Sequence, residues 1–234
     1  MDVLICVADG VIHDGLDYAD RIGERLAAAG LTSARCDLTS LPAELPRPDR
    51  AYVFTGGETS VHSDAGWMRS AIGMTRRLVA DREGTQPGII GICLGAQIIA
   101  EALHPDSITA SSAIEVGLTP VTRPDNHTEQ VVPSFHYQAI APEISSVAGV
   151  RIEWRNEHSA VQAFSYRDHV FGCQFHPELT ATDVHELIDF HTDVIKRWHG
   201  DVDAAHRSVE RHTAALDADL FRRTVVDRIR RVSG

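Results

Sequence analysis

The feature that most restricts how this chain can fold is the stretch from Pro87 to Leu103. Ile89, Ile90 and Ile92 among glycines form a short apolar run of the kind that becomes a buried parallel strand. Ala96 to Leu103 follows, rich in strong helix formers, with Ile98, Ile99, Ala102 and Leu103 at helical spacing. Between them Gly91-Ile92-Cys93-Leu94-Gly95 places a thiol two residues from a glycine on either side, the sulfur counterpart of the G-x-S-x-G elbow. A strand that passes straight into a helix bends sharply at Cys93, and bulk at positions 91 and 95 would strike neighbouring chain. The turn lifts the sulfur above the carboxyl end of the strand, where open α/β sheets bind ligands. A helix N-terminus there favours thiolate, and the Leu94 amide can donate to an oxyanion.

The rest of the chain reads as an α/β protein around that strand. Val3 to Val7 predicts the first strand, broken at Asp9-Gly10, and a helix runs from about Leu16 to Ala29, ended by Gly30. Ser33 to Cys36 gives a second strand, followed by a connection punctuated by Pro42, Pro46 and Pro48. Ala51 to Thr55 is a third strand stopping at Gly56-Gly57, and a helix from about Gly66 to Asp81 leads to the elbow. Strands alternating with helices mean a parallel sheet. From 107 to 175 the rhythm changes to short segments such as Val116 to Val121, Glu129 to Val132, Arg151 to Trp154, Ala160 to Tyr166 and Val170 to Phe175, the pattern of hairpins. After Pro177, Val184, Leu187, Ile188, Ile195 and Trp198 keep a helical stripe with Thr180 or Thr182 as N-cap. Beyond Gly200, the residues from Val209 to Ile229 predict a second long helix, with Arg222, Arg223, Arg228, Arg230 and Arg231 solvating one face. The expected organisation is an α/β domain over residues 1–200 and a C-terminal helix over 201–234, packed on it or extending from it.

Composition removes several functions. A formal net charge of −11 argues against a phosphate-backbone binder, so no nucleic-acid partner is expected. No apolar run approaches the roughly 18 residues of a membrane span, and the amino terminus enters a strand with no basic leader, so a cytoplasmic protein without a membrane partner is expected. Cysteines 6, 36, 93 and 173 lack metal-like spacing; Cys6, Cys36 and Cys173 fall in apolar runs and read as core thiols. Among 13 histidines, His185 and His191 stand on poorly matched helix faces and His199 and His206 are too far apart to chelate, so neither metal nor cofactor is expected.

A thiolate acyl-transfer site needs a base held by a third group and oxyanion donors. In Phe171-Gly-Cys-Gln-Phe-His176-Pro177-Glu178 an apolar strand leads to a histidine, and in extended chain Glu178 falls on the same side as His176. A carboxylate on one ring nitrogen fixes the tautomer and leaves the other for the sulfur. In Thr55-Gly56-Gly57-Glu58-Thr59-Ser60-Val61 two glycines at a strand end let backbone amides approach a ligand, and Gly57 would join Leu94 in an oxyanion hole.

Together, Gly-x-Cys-x-Gly-x-Gln at 91–97, Gly-Gly-x-x-Ser-Val at 56–61 and Gln-Phe-His-Pro-Glu at 174–178 resemble the class I (triad) glutamine amidotransferases, in particular the stand-alone, GMP-synthase-like glutaminase domains. Ile114-Glu115-Val116-Gly117 followed by Pro120-Val121 is similar to a segment of the same group, and the resemblance covers roughly residues 1–190. It implies a flavodoxin-like, mostly parallel sheet with helices on both faces, here with a C-terminal helical extension. It implies that Cys93 attacks the γ-carboxamide of glutamine, that His176 moves the proton, that Glu178 orients His176, and that the Gly57 and Leu94 amides stabilise the oxyanion. Gly56, Gln97, Phe135, Tyr137 and Gln138 stand at substrate-binding positions. Ser134-Phe135-His136-Tyr137-Gln138 departs from the usual Ser-His-Gly-Asp or Asn-His-Gly-Phe and leans toward the γ-glutamyl hydrolases of the superfamily; Glu58 replaces the usual proline. Two activities therefore compete. One is ammonia production from glutamine for a separate synthetase or amidase acceptor subunit, since no Gly-x-x-x-x-Gly-Lys-Ser/Thr motif is present. The other is hydrolysis of a γ-glutamyl amide of a small amine. A non-catalytic binding module is a third, disfavoured because Cys, His and Glu are all retained.

Overall fold

The computed structural model describes residues 1–40, 45–80 and 87–232. Its centre is a seven-stranded sheet, and the elbow strand lies in the middle of it. In chain order the strands are β1 (Val3–Val7), β2 (Val11–His13), β3 (Leu16–Asp17), β4 (Ser33–Asp37), β5 (Ala51–Phe54), β6 (Gly88–Ile92), β7 (Ile108–Thr122), β8 (Glu129–Ile140), β9 (Val150–Trp154), β10 (Ala163–Tyr166) and β11 (Val170–Cys173). The helices are α1 (Tyr18–Ala28), α2 (Gly66–Ala80), α3 (Leu94–Leu103), α4 (Ala181–Phe190), α5 (Thr192–Arg197), α6 (Val202–His212) and α7 (Asp227–Val232). The sheet order is β4-β1-β5-β6-β11-β10-β9. β1 pairs in parallel with β4 and β5, β6 with β5 and β11, and the hairpin-linked β10 and β9 extend the edge antiparallel.

Period-two alternation decides which helices cover which face. Leu4, Cys6, Tyr52, Phe54 and Ile89 point into one buried layer with residues of α2 and α3, among them Met68, Ala71, Ile98 and Ile99. Val3, Ile5, Ala51, Val53, Ile90 and Ile92 point the other way, onto Ala19, Ile22 and Leu26 of α1 and onto Leu220, Phe221, Val225, Val226 and Ile229 near the C-terminus. The mostly parallel sheet is what the alternating segments predict, and helices on both of its faces are what the family resemblance implies. The expected Gly66 to Asp81 helix is α2; Asp81 and Pro42 lie outside the described residues.

Four details differ from the expectation. The helix expected from Leu16 begins at Tyr18, because Val11–His13 and Leu16–Asp17 form a small hairpin and Asp17 caps the helix with a reciprocal Asp20 contact. The fragments at Val116 to Val121 and Glu129 to Val132 belong to one long hairpin, β7–β8, whose register shifts between Ala110 and Glu115 so that Glu115 faces His136. It forms a third apolar cluster with α4, α5 and α6. There Gly117, at φ 107°, lets the Ser208 hydroxyl in close enough to accept from the Leu118 amide at 3.1 Å.

The second long helix is two pieces. α6 stops at His212, Leu216 turns inward, and Asp217 accepts from the Asp219 amide through its side chain and from Leu220 through its carbonyl. That local turn restarts the helix, through a π-turn over Arg222–Val226, at an angle that buries its apolar face. Nor are the arginines a uniformly solvated face. Arg228 lies over the Phe171 ring at 3.8 Å and pairs with the buried Glu153 at 2.6 Å.

Candidate active site

The sheet's central strand ends at Cys93, whose backbone angles (φ 52°, ψ −110°) place a non-glycine residue in a strained region. Three backbone bonds hold it there: Cys93 N–H to Cys173 O at 2.8 Å, Gly95 N–H to Thr55 O at 3.0 Å and Gln97 N–H to Cys93 O at 3.1 Å. The flanking glycines are needed for contact. A Cβ on Gly91 would lie 2.5 Å from the Gly95 carbonyl carbon, and one on Gly95 would meet the Phe54 carbonyl. Cys93 is 7% exposed, and its sulfur lies 3.7 Å from the Phe135 carbonyl oxygen.

His176 arrives from β11, the neighbour of β6, with its amide donating to Pro133 O at 2.8 Å. Its Nδ1 is 2.7 Å from Glu178 Oε1, and both side chains are fully buried. The pairing comes from a turn rather than the extended chain expected: Leu179 N–H donates back to His176 O, with Pro177 at the first corner. Burial alone would lower the His176 pKa. Glu178 and then Cys93 overcome it and push it up to about 10, while the ring's Nε2 has no hydrogen-bond partner among the described residues. The ring is stacked on Tyr18 at 4.6 Å, and a Cβ on Gly56 would come within 2.8 Å of its Cε1. Gly56 thus packs on the imidazole, behind the cavity wall.

A cavity of about 140 Å³ opens over the sulfur. Gly57, Leu94, Gln97, Phe135, Tyr137 and Gln138 line it together with Cys93. Among the described residues neither the Gly57 nor the Leu94 amide has an acceptor within the chain. Gln97 is held by its Nε2 donating to Gln174 Oε1 at 3.3 Å and to Gln138 O at 3.4 Å. Tyr137 donates its hydroxyl to Glu58 O at 2.7 Å and stacks on Trp198 at 4.5 Å.

Several lining or supporting residues escaped the sequence. Asp9, expected only to break a strand, accepts from the Glu58 and Thr59 amides at 3.1 and 3.2 Å and from the Thr59 hydroxyl, fixing the loop that carries Gly57. His191, Val194, Arg197 and Trp198 close the cavity from α5 and its ends, although the apolar stripe suggested only core. Glu115 receives Asn156 Nδ2 at 2.5 Å and Gln162 Nε2 at 2.6 Å and lies 3.2 Å from His136 Nε2, behind the 134–138 wall. The Ile114-Glu115-Val116-Gly117 likeness marked that carboxylate without its partners. His185, weighed in the sequence only against His191, has its Nδ1 2.8 Å from that of His206.

Comparison with known proteins bears on the family and the fold. The model of the family described as glutamine amidotransferase class-I matches residues 17–192, most of the chain. A GMP synthase [glutamine-hydrolyzing] from Emericella nidulans is 25% identical over 181 residues, 74% of this chain and 32% of that protein. The chain therefore spans about a third of that relative's length. A glutamine amidotransferase from Thermotoga maritima superposes with a TM-score of 0.74 at 18% identity, over 97% of this chain and 98% of that one. One from Methylobacillus flagellatus gives 0.65 at 23%, over 99% and 89%. These solved structures share the fold, and the match over residues 17–192 carries the assignment: the chain belongs to the class I glutamine amidotransferases.

Proposed function

We propose that this chain hydrolyses the γ-amide of glutamine through a γ-glutamyl thioester on Cys93 and delivers the ammonia to a separate synthetase. The observation that carries the proposal is the fully buried His176–Glu178 pair at 2.7 Å, set beside a thiol on a strained elbow. His176, with its raised proton affinity, is a capable base toward that thiol. It takes the thiol proton as sulfur attacks the carboxamide carbon, and returns it to the departing nitrogen as ammonia leaves. Water then attacks the thioester, giving one proton to His176 and releasing glutamate and the thiol. Glu178 holds Nδ1, so Nε2 stays aimed at the reacting atoms. Gly57 and Leu94 line the cavity, and their amides serve as oxyanion donors; losing one such donor costs on the order of 10²–10³ in rate. The relative from Emericella nidulans is a glutamine-hydrolysing GMP synthase, which supports the ammonia-delivering role.

A second reading, hydrolysis of a γ-glutamyl amide of a small amine, is favoured by the Tyr137–Trp198 stack, an aromatic wall suited to a leaving group larger than ammonia. Steady-state assays on glutamine and on γ-glutamyl amides separate the two. The first reading expects slow glutaminase turnover, abolished in Cys93→Ala. Full turnover of a substituted amide with glutamine ignored would replace it with the second.

A further inference from the structure

The cavity above Cys93 carries two charged side chains that the reaction does not use. Among its lining residues Glu58 is the one carboxylate and Arg197 the one permanent cation. Both are exposed at the rim, and among the described residues neither has an ion-pair partner. Tyr137 links the segments that carry them: its hydroxyl donates to the Glu58 carbonyl at 2.7 Å, and its ring stacks on Trp198, the neighbour of Arg197. Both act electrostatically on that phenol with opposite sign. Asp9 pins the Glu58 end through the Glu58 and Thr59 amides. In a chain of net charge −11, an unpaired guanidinium and an unpaired carboxylate lining the same cavity form a pattern of one positive and one negative receptor.

We propose that Arg197 receives the α-carboxylate, and Glu58 the α-ammonium, of the substrate's γ-glutamyl unit, so that a free zwitterionic amino-acid head is required. The inference rests on the reading that Cys93 attacks a γ-glutamyl carbonyl. With the scissile carbon held at the sulfur, the opposite end of a glutamyl group extends to the rim, where its two charges meet complementary ones. A guanidinium grips a carboxylate through two parallel N–H donors, so lysine is not an equivalent replacement at position 197. The leaving amine then takes the remaining aromatic side of the cavity.

The test combines rate and binding. In steady-state assays on glutamine, Glu58→Gln and Arg197→Gln each raise KM about tenfold or more with kcat changed less than about threefold, the size expected for one lost charge-assisted contact. Wild-type protein discriminates strongly against N-acetylglutamine and against glutamine whose α-carboxylate is an amide. The N-acetyl penalty shrinks in Glu58→Gln and the α-amide penalty shrinks in Arg197→Gln, a pairing that a general loss of structure would not produce. Calorimetric binding of glutamine to Cys93→Ala, alone and combined with each substitution, gives the same ranking without turnover. Unchanged KM in both variants, equal use of the blocked substrates, or no glutamine binding to Cys93→Ala overturns the proposal. Tight binding that responds to both substitutions, with no turnover by wild type, would instead overturn the hydrolytic reading.

Discussion

At the scale of single residues, the site depends on a cysteine held where cysteine does not ordinarily rest. A positive φ at a non-glycine residue costs on the order of 1–3 kcal/mol, and here three backbone bonds and two Cβ-free neighbours hold it in place. His176 and Glu178 are positioned by a proline turn, and the ring stacks on Tyr18 with the Gly56 backbone close to its Cε1. These placements predict unequal mutational costs. His176→Ala removes the base and should lower glutaminase kcat about 10³-fold or more, whereas Glu178→Gln disturbs only the aim of the base and should cost about tenfold to a hundredfold. Equal losses in parallel kinetic measurements would contradict the orienting role. Cys93, His176 and Glu178, the residues of the proposed triad, could be singled out in the sequence because each sits in a short, stiff motif. Asp9 and Arg197 could not, because the loop and helix that carry them meet the cavity only in three dimensions.

At the scale of elements, the β7–β8 hairpin supplies one wall of the cavity, and its register is tied to a buried carboxylate. Burial alone would raise the Glu115 pKa, but His136 and the Asn156 amide outweigh it and bring it down from 4.5 to about 2. A carboxylate with a lowered folded-state pKa stabilises the fold above its unfolded pKa. That contribution is lost as pH falls from about 4.5 toward about 2. For a shift of this size the contribution is about 3 kcal/mol at neutral pH, as an order of magnitude. Urea unfolding across this range should therefore show a shallower acid decline for Glu115→Gln than for wild type, together with lower stability at pH 7. Parallel acid limbs would remove Glu115 from this role. The hairpin's existence was readable from its short alternating segments; its length and its bulge were not, since cross-strand pairing decides them.

At the scale of the whole molecule, the parallel sheet brings together residues some eighty positions apart. β6 and β11 are adjacent and parallel, so the chain leaving each strand's carboxyl end delivers Cys93 and His176 to the same edge. Alternating apolar strands and helices made that architecture readable, while the broken C-terminal helix was hidden because Asp217 resembles any polar helix residue until its turn is seen. The chain carries four free cysteines, and three of them, Cys6, Cys36 and Cys173, have thiol pKa values raised chiefly by burial. The central claim, that one sulfur among four is the nucleophile toward a γ-glutamyl carbon, is tested most directly by peptide mass mapping after treatment with the glutamine-like electrophile 6-diazo-5-oxo-L-norleucine. A single covalent adduct on Cys93, formed with loss of activity and slowed by excess glutamine, is the predicted result. An unmodified Cys93, or modification spread over Cys6, Cys36 and Cys173 at comparable rates, would contradict it.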